Sequence, residues 1–191
     1  MKVLLLRHTR VAVPPGLCYG ATDVAPAVSF PVERELVRAA LGSFEGLVVS
    51  SPLQRCLTLA RALAPAVRVD ERLREFNFGR WEMRPWEEIP RAEVDAWCDD
   101  FSANPPPEGE RLRDFEARCA DALADARALA AGRPLLLCTH AGVIRALLGA
   151  SLGLSSRASL TLEVGYGCIY DLDTGLRHDD SVAPVPQGGR A

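Results

Sequence analysis

The chain has 191 residues, 48% hydrophobic and 25% charged, enough for one globular domain with a proper core and too few for two of ordinary size. A net charge of −3 and a pI near 5.7 exclude the basic footprint of a nucleic-acid binder or membrane-surface protein and point to a small soluble substrate. No apolar run approaches the roughly 20 residues of a membrane span, Val3–Leu6 is too short for a signal-peptide core, and a cytoplasmic setting is expected.

In chain order, Lys2–Arg10 reads as an apolar strand that delivers Arg7-His8 at its end. The prolines and glycines of 11–31 exclude helix and make the segment long for a mere connection, which marks a binding loop. Val32, Leu36, Val37, Ala40 and Leu41 predict the apolar face of a helix from about Val32 to Leu41, capped by Gly42. Gly46–Ser50 reads as a second buried strand. Ser51-Pro52 predicts a helix start, serine at the N-cap and proline at the first helical position, with a stripe of Leu53, Cys56, Leu57, Ala60 and Leu63 and a stop at Pro65. Arg55 then falls in the first turn, where a helix N-terminus favours an anion and a guanidinium adds a planar fork for phosphate or carboxylate.

Val67–Val69 suggests a short strand. The irregular aromatic segment 73–83 carries Glu75 and Glu82, either of which could serve as a general acid in a partly apolar setting. A short helix over Pro85–Ile89 and a longer one over Arg91–Phe101 follow, the second presenting Val94, Trp97, Cys98 and Phe101, with the tryptophans read as core or pocket wall. Three prolines at 105–107 make a stiff connector. Glu108–Ala131 is the longest predicted helix, and its charged side reads as a solvated face. Pro134–Cys138 is another buried strand, ending before Thr139-His140-Ala141-Gly142 and a helix with Val143, Ile144, Leu147 and Leu148. Leu160–Val164 and Cys168–Leu172 predict edge strands around a turn at Asp173-Thr174-Gly175. His178 is read as exposed and without a catalytic task. The organisation expected is one domain over 1–178 with a flexible tail at 179–191.

Two of the three histidines thus follow buried-type strands, and ligands of open α/β sheets bind at the carboxyl ends of strands. The six cysteines are scattered, without C-x-x-C pairs or neighbouring histidines, so neither a disulfide framework nor a zinc site is expected. Phosphoryl transfer through a covalent intermediate needs a nucleophile, cations on the phosphoryl oxygens and an acid for the leaving oxygen. A neutral imidazole, Arg7 with Arg55, a second imidazole, and Glu75 or Glu82 would supply them.

Arg7-His8-Thr9, Ser51-Pro52-Leu53-Gln54-Arg55, Leu73-Arg74-Glu75, Phe78-Gly79-Arg80-Trp81-Glu82 and Thr139-His140-Ala141-Gly142-Val143-Ile144-Arg145 together resemble the histidine phosphatase superfamily, motif by motif in order over roughly Met1–Asp173. The resemblance implies an α/β fold of phosphoglycerate-mutase-like type, a three-layer sandwich whose mostly parallel, mixed sheet is flanked by helices. It further implies a phosphohistidine intermediate, no cofactor and no metal. By motif position His8 would be the nucleophile, Arg7, Arg55 and His140 the phosphate pocket, and Glu75 the proton donor with Glu82 second; His140 counts among the catalytic groups. Thr9 replaces the family's usual glycine after Arg-His, and Arg10-Val11-Ala12-Val13 replaces the polar run that normally follows.

Cys18–Val24, Phe78–Arg84, Trp97–Asp100 and Pro107–Glu110 are similar to the α-ribazole phosphatase branch, which implies hydrolysis of α-ribazole 5′-phosphate in cobalamin biosynthesis. A broad-specificity sugar-phosphate phosphatase is the alternative, ahead of a phosphoglycerate mutase or a non-catalytic binder of phosphorylated ligands. The partner expected is a small phosphomonoester, with no nucleic acid and no membrane; a homodimer is left open.

Overall fold

The computed structural model describes residues 1–101 and 103–178, so the tail expected at 179–191 lies outside the described residues. Its strands are β1 (Val3–Arg7), β2 (Leu17–Cys18), β3 (Leu47–Ser50), β4 (Arg68–Val69), β5 (Arg84–Pro85), β6 (Leu135–Thr139) and β7 (Ile169–Asp171). Its helices are α1 (Phe30–Leu41), α2 (Gln54–Leu63), α3 (Arg91–Asp99), α4 (Leu112–Ala130), α5 (Ala141–Ser151) and α6 (Ser156–Leu160).

Five strands form the sheet in the order β4-β3-β6-β1-β7, all parallel except β7, which runs antiparallel to β1 at the edge. Side chains alternate across a strand, and that alternation sorts the core into two layers. Leu4, Leu6, Leu136 and Cys138 pack on Val37 and Leu41 of α1 and on Cys56, Leu59 and Ala60 of α2. Val3, Leu5, Leu135 and Leu137 face Phe115, Cys119 and Ala122 of α4 and Ile144 and Leu147 of α5. Being covered on both faces explains why these strands read as unbroken apolar runs. Leu4, Leu5, Leu6, Leu135, Leu136 and Leu137 are at most 2% exposed, each contributing about 2 kcal/mol of transfer free energy. The three-layer, mostly parallel architecture expected from the sequence is the one observed.

Several elements differ from expectation. Helix α1 starts at Phe30 and buries Glu33, Val37 and Leu41, leaving Val32 67% exposed; Glu33 turns inward because the Arg10 backbone N–H and the Ser29 hydroxyl donate to its carboxylate at 2.9 and 2.6 Å. Ser51 is not the N-cap of α2. Its N–H donates to the Cys138 carbonyl at 3.0 Å, continuing the sheet, Leu53 takes the cap position, and the Gln54 N–H at the helix start is met by Asp23 Oδ1 at 2.8 Å.

Helix α4 begins at Leu112 rather than Glu108 because the preceding backbone is committed elsewhere. Pro107 O accepts from Arg80 N–H, the Glu110 N–H donates to Asn77 O, and Glu108 has φ of 60°. Segment 160–164 is not a strand. Ser155 caps α6, and the carbonyls of Leu162 and Val164 accept from Arg145 and Arg7 side chains instead of a neighbouring strand. The charged side of α4 is not merely solvated either, since Arg118 donates to the carbonyls of Arg72, Arg74 and Glu75 while pairing with Glu110. His178 is half-buried, and its N–H donates to Ile169 O at 2.8 Å.

Candidate active site

Strand register assembles the centre of the site. Arg7 is aligned with Thr139 and Ser50 with Cys138, so His8, Ser51 and His140 emerge together at the carboxyl end of the three central strands. All three are buried, and the two imidazole centroids lie 5.2 Å apart. His8 Nδ1 is 2.7 Å from the Thr9 carbonyl. A carbonyl only accepts, so Nδ1 carries the proton and Nε2 presents a lone pair. Burial, then the charges of Arg7 and Arg55, hold the His8 pKa well below its ordinary value, which keeps the ring neutral.

His140 is fixed in the opposite sense. Arg55 Nε donates to its Nδ1 at 3.2 Å, and Nε2 lies 2.8 Å from Ser51 Oγ. Burial and the neighbouring Arg55 charge depress this pKa as well. In the neutral ring the proton therefore sits on Nε2.

Arg55, 0% exposed, also donates to Thr22 O at 2.7 Å and Gly20 O at 2.6 Å. Both acceptors belong to the loop after β2, and the rest of that loop is pinned too: Tyr19 lies with its ring 5.2 Å from the Arg55 guanidinium, and Asp23 meets α2. Arg7 donates to Val164 O at 2.5 Å and lies 3.6 Å from the Tyr166 ring centroid, while its buried Nε has no acceptor among the described residues. The Tyr19 and Tyr166 hydroxyls meet at 2.9 Å, and the Tyr166 ring is 5.6 Å from His8.

The two glutamates have different surroundings. Glu75 accepts from Phe76 N–H at 2.9 Å and Gly142 N–H at 3.0 Å and lines the cavity described below. A Cβ at Gly142 would come within 2.3 Å of Glu75 Oε1, so any larger residue there would displace the carboxylate. Glu82 instead accepts from Ala21 N–H at 2.9 Å, Phe78 N–H at 3.0 Å and the Thr22 hydroxyl. It clamps the β2 loop, and a Cβ at Gly20 would come within 2.5 Å of its Oε1.

Arg145, one helical turn beyond Gly142, donates to Leu162 O at 2.9 Å and also lines the cavity. Burial and the Arg7 charge lower its pKa. Arg7, Arg55 and Arg145 thus take carbonyls and an imidazole as partners. Neutral acceptors leave the positive charge uncancelled, which suits an anion.

A cavity of about 460 Å³ opens beside this cluster, with Arg7, Glu75, Gly142 and Arg145 on its polar side. Seven of the chain's twelve aromatic residues line it: Tyr19, Phe76, Phe78, Trp86, Trp97, Phe101 and Phe115. Ring contacts connect Phe115 through Phe76 and Phe78 to Trp97 and Phe101 at centroid distances of 4.8 to 5.8 Å. Among the described residues no group of three or more His, Cys, Asp or Glu side chains could hold a metal ion, and no helix is long and apolar enough to cross a membrane.

The structure brings His8, His140, Arg7, Arg55 and Glu75 into one region and gives Glu82 a different environment. Sequence reasoning missed Ser51, read as a cap, and Arg145, whose three-residue spacing from Gly142 on a helix places both on one face. It also missed Tyr166, for which no local signal exists, and did not single out Tyr19 within the loop that it read as a binding loop.

Residues 33–182 match the family described as Histidine phosphatase superfamily (branch 1). The adenosylcobalamin/α-ribazole phosphatase of Escherichia coli K12 is 25% identical over 182 residues, covering 91% of this chain and 90% of that protein. A mycobacterial glucosyl-3-phosphoglycerate phosphatase superposes with a TM-score of 0.78 at 27% identity, covering 89% of this chain and 88% of that one. The α-ribazole phosphatase of Shigella flexneri gives 0.80 at 24% identity over 90% and 89%, which bears on the fold. The chain belongs to the histidine phosphatase superfamily, branch 1, and is a phosphatase.

Proposed function

We propose that the chain hydrolyses phosphomonoesters through phospho-His8 and that its substrate is α-ribazole 5′-phosphate. The observation that carries the substrate is the aromatic cavity beside Arg7, Glu75 and Arg145. A planar benzimidazole stacks favourably on such walls, whereas a polyhydroxylated sugar or a glycerate would leave hydroxyls facing rings that cannot pair with them. At about 460 Å³ the cavity is within the usual range for ligands of this size.

In the first half-reaction His8 Nε2 attacks phosphorus in line with the leaving oxygen. The N–P bond forms as the P–O bond to the alcohol breaks, and Glu75 passes its proton to the departing alkoxide. Arg7 and Arg55 stabilise the phosphoryl oxygens, and the Nε2–H of His140, which donates to Ser51 Oγ here, turns to them when the phosphoryl group binds. Water then attacks phospho-His8, giving a proton to Glu75. The N–P bond breaks, releasing inorganic phosphate and restoring neutral His8. The site is assembled within one chain, so a homodimer is not needed to complete it. All six cysteines are free thiols, in keeping with a reducing cytoplasm.

The second reading is a broad-specificity sugar-phosphate phosphatase, favoured by the similarity to the glucosyl-3-phosphoglycerate enzyme. The test is kcat/KM, measured in chelator, on α-ribazole 5′-phosphate beside sugar phosphates and 3-phosphoglycerate, with His8→Ala as the blank. Strong preference for the ribazole ester is expected. Comparable slow rates on all esters would replace it with the second reading, and activity no higher than the blank would remove the catalytic reading.

A further inference from the structure

The proposed leaving group carries a ribose between the ester and its planar base, and the hydroxyls of that ribose need partners that an aromatic wall cannot give. Arg145 combines an unused polar end with a place beside the ester. Its Nε donates to Leu162 O at 2.9 Å, and both terminal amino groups of the guanidinium have no acceptor among the described residues. Nor are they sealed in, since the buried side-chain polar atoms left unpaired among the described residues belong to Arg7, Thr9, Trp97 and Arg177. The free end of Arg145 therefore meets open space, and the space that its side chain borders is the cavity. One donor suffices for Leu162 O, and the rest of the planar fork is left over.

The position of Arg145 along α5 sets what it can reach. In the first turn of α5 the Gly142 N–H donates to the Glu75 carboxylate at 3.0 Å, and Arg145 follows on the same face about 4.5 Å further along the axis. The charged side chains that act on it are Arg7 and Glu75, which in the proposed reaction hold the phosphoryl oxygens and protonate the leaving oxygen. A leaving oxygen at Glu75 brings the next few atoms of the alcohol beside Arg145. In a ribose 5′-phosphate the 3′-hydroxyl lies four bonds from that oxygen, a comparable span, while the base lies farther out among the rings. We propose that Arg145 is a specificity-determining residue whose terminal amino groups donate to the 3′-hydroxyl oxygen of the leaving alcohol. The substrate class is then a pentofuranose 5-phosphate that carries a planar base. This deepens the proposed function and rests on it. Stacking selects the base, and Arg145 selects the sugar that bears it. Removing the hydroxyl leaves a half-buried cation without its acceptor, so the site rejects the deoxy analogue.

The experiment compares α-ribazole 5′-phosphate with its 3′-deoxy analogue. kcat/KM is measured for both with the wild-type chain, with Arg145→Met and with Glu116→Gln, the last altering a carboxylate that also lines the cavity and has no hydrogen-bond partner among the described residues. The wild type and Glu116→Gln are expected to prefer the ribose ester about tenfold or more, the effect of one hydrogen bond to a charged group, and Arg145→Met to treat the two alike. The ratio is the readout because a loosened 160–164 segment would slow both esters together. A preference that persists in Arg145→Met, or its absence from the wild type, would overturn the proposal; if Glu116→Gln abolishes it instead, the hydroxyl belongs to that carboxylate. A loss in Arg145→Met confined to 3-phosphoglycerate would also overturn it, by giving the guanidinium to a second anion.

Should Arg145→Met not fold, the wild type decides alone with the 3′-amino-3′-deoxy ester, assayed where its amine is protonated. An ammonium set against Arg145 should be hydrolysed more slowly than even the deoxy ester, and a rate equal to or above that of the deoxy ester would overturn the proposal. If sugar phosphates without a base outrun every ribazole ester, the α-ribazole reading falls and this proposal with it. If α-ribazole 5′-phosphate stays ahead of the sugar phosphates while its deoxy analogue matches it, this proposal falls alone.

Discussion

Replacing each glutamate by glutamine separates the proton donor from the loop clamp. Glutamine at 75 has no proton to give, and loss of a positioned general acid costs about 10²–10⁴ in rate, or roughly 3–5 kcal/mol. An alkyl ester such as a ribose 5′-phosphate carries that loss in full. Nitrophenyl phosphate, whose leaving group departs as a stable anion, carries little of it. Glu75→Gln also has a structural cost, because its carboxylate accepts from both Phe76 and Gly142 N–H. The amide keeps one acceptor oxygen, and the other N–H faces an NH₂ group, at roughly 1–3 kcal/mol of folding stability.

Glu82→Gln should be milder. The amide oxygen can remain on the Ala21 and Phe78 N–H groups while the NH₂ donates to the Thr22 hydroxyl, so each contact made by the carboxylate is retained. Both variants are assayed on the two substrates at a temperature where circular dichroism reports them folded. Glu75→Gln should lose the alkyl ester at least tenfold more than the nitrophenyl ester, and Glu82→Gln should lose less than about tenfold on either. A selective loss of the alkyl ester in Glu82→Gln, or an equal loss on both substrates in Glu75→Gln, would refute the assignment.

Arg55→Ala should lower kcat/KM by about a hundredfold or more and stability by roughly 3 kcal/mol, since Gly20 O, Thr22 O and His140 Nδ1 all lose their donor; an unchanged kcat/KM would remove Arg55 from the site. The buried imidazoles set a pH dependence of stability. Their folded pKa values are depressed by burial and by the arginines, so below about pH 6.5 the unfolded chain takes up protons that the native state refuses. Stability should therefore fall as pH drops through that point, by at most about 1.4 kcal/mol per pH unit for each histidine. Urea midpoints at about pH 7.5, 6.5 and 5.5 check it, and a flat profile would show that the imidazoles titrate as in water.

What was legible in the sequence is what local pattern determines. Five consecutive buried residues in β6, and four in β1, make each strand, and each strand puts its histidine at the sheet's carboxyl edge. Arg55 was legible because a strand end followed by a helix start places it. Partners far along the chain were not. Asp23 meets α2, Glu82 clamps the loop at 20–22 and Arg118 ties down the Glu75 segment through contacts 31 to 61 residues apart, and no local spacing announces them. Ser51 has the residue type of an N-cap, but its hydroxyl is used by His140. The apolar look of 160–164 suggested a strand, whereas arginine side chains take its carbonyls. The cavity draws its aromatic wall from five separate segments of chain, at 19, 76–78, 86, 97–101 and 115, and of these only the tryptophans were read from the sequence as core or pocket wall.

The two buried imidazoles are chemically the same group, and the fold makes them different by the kind of partner it gives each. Thr9 O can only accept, so it holds the proton of His8 on Nδ1 and leaves Nε2 as a base. Arg55 Nε can only donate, so it holds His140 Nδ1 bare and puts the proton on Nε2. One ring offers a lone pair where the other, 5.2 Å away, offers a donor. A nucleophile and a stabiliser of the phosphoryl oxygens require that division. The first partner is the next residue's own carbonyl and survives any side-chain change at Thr9. The second is a side chain 85 residues distant, so loss of Arg55 releases the tautomer of His140 as well as one cation, and its effect on rate should exceed that of removing a charge alone.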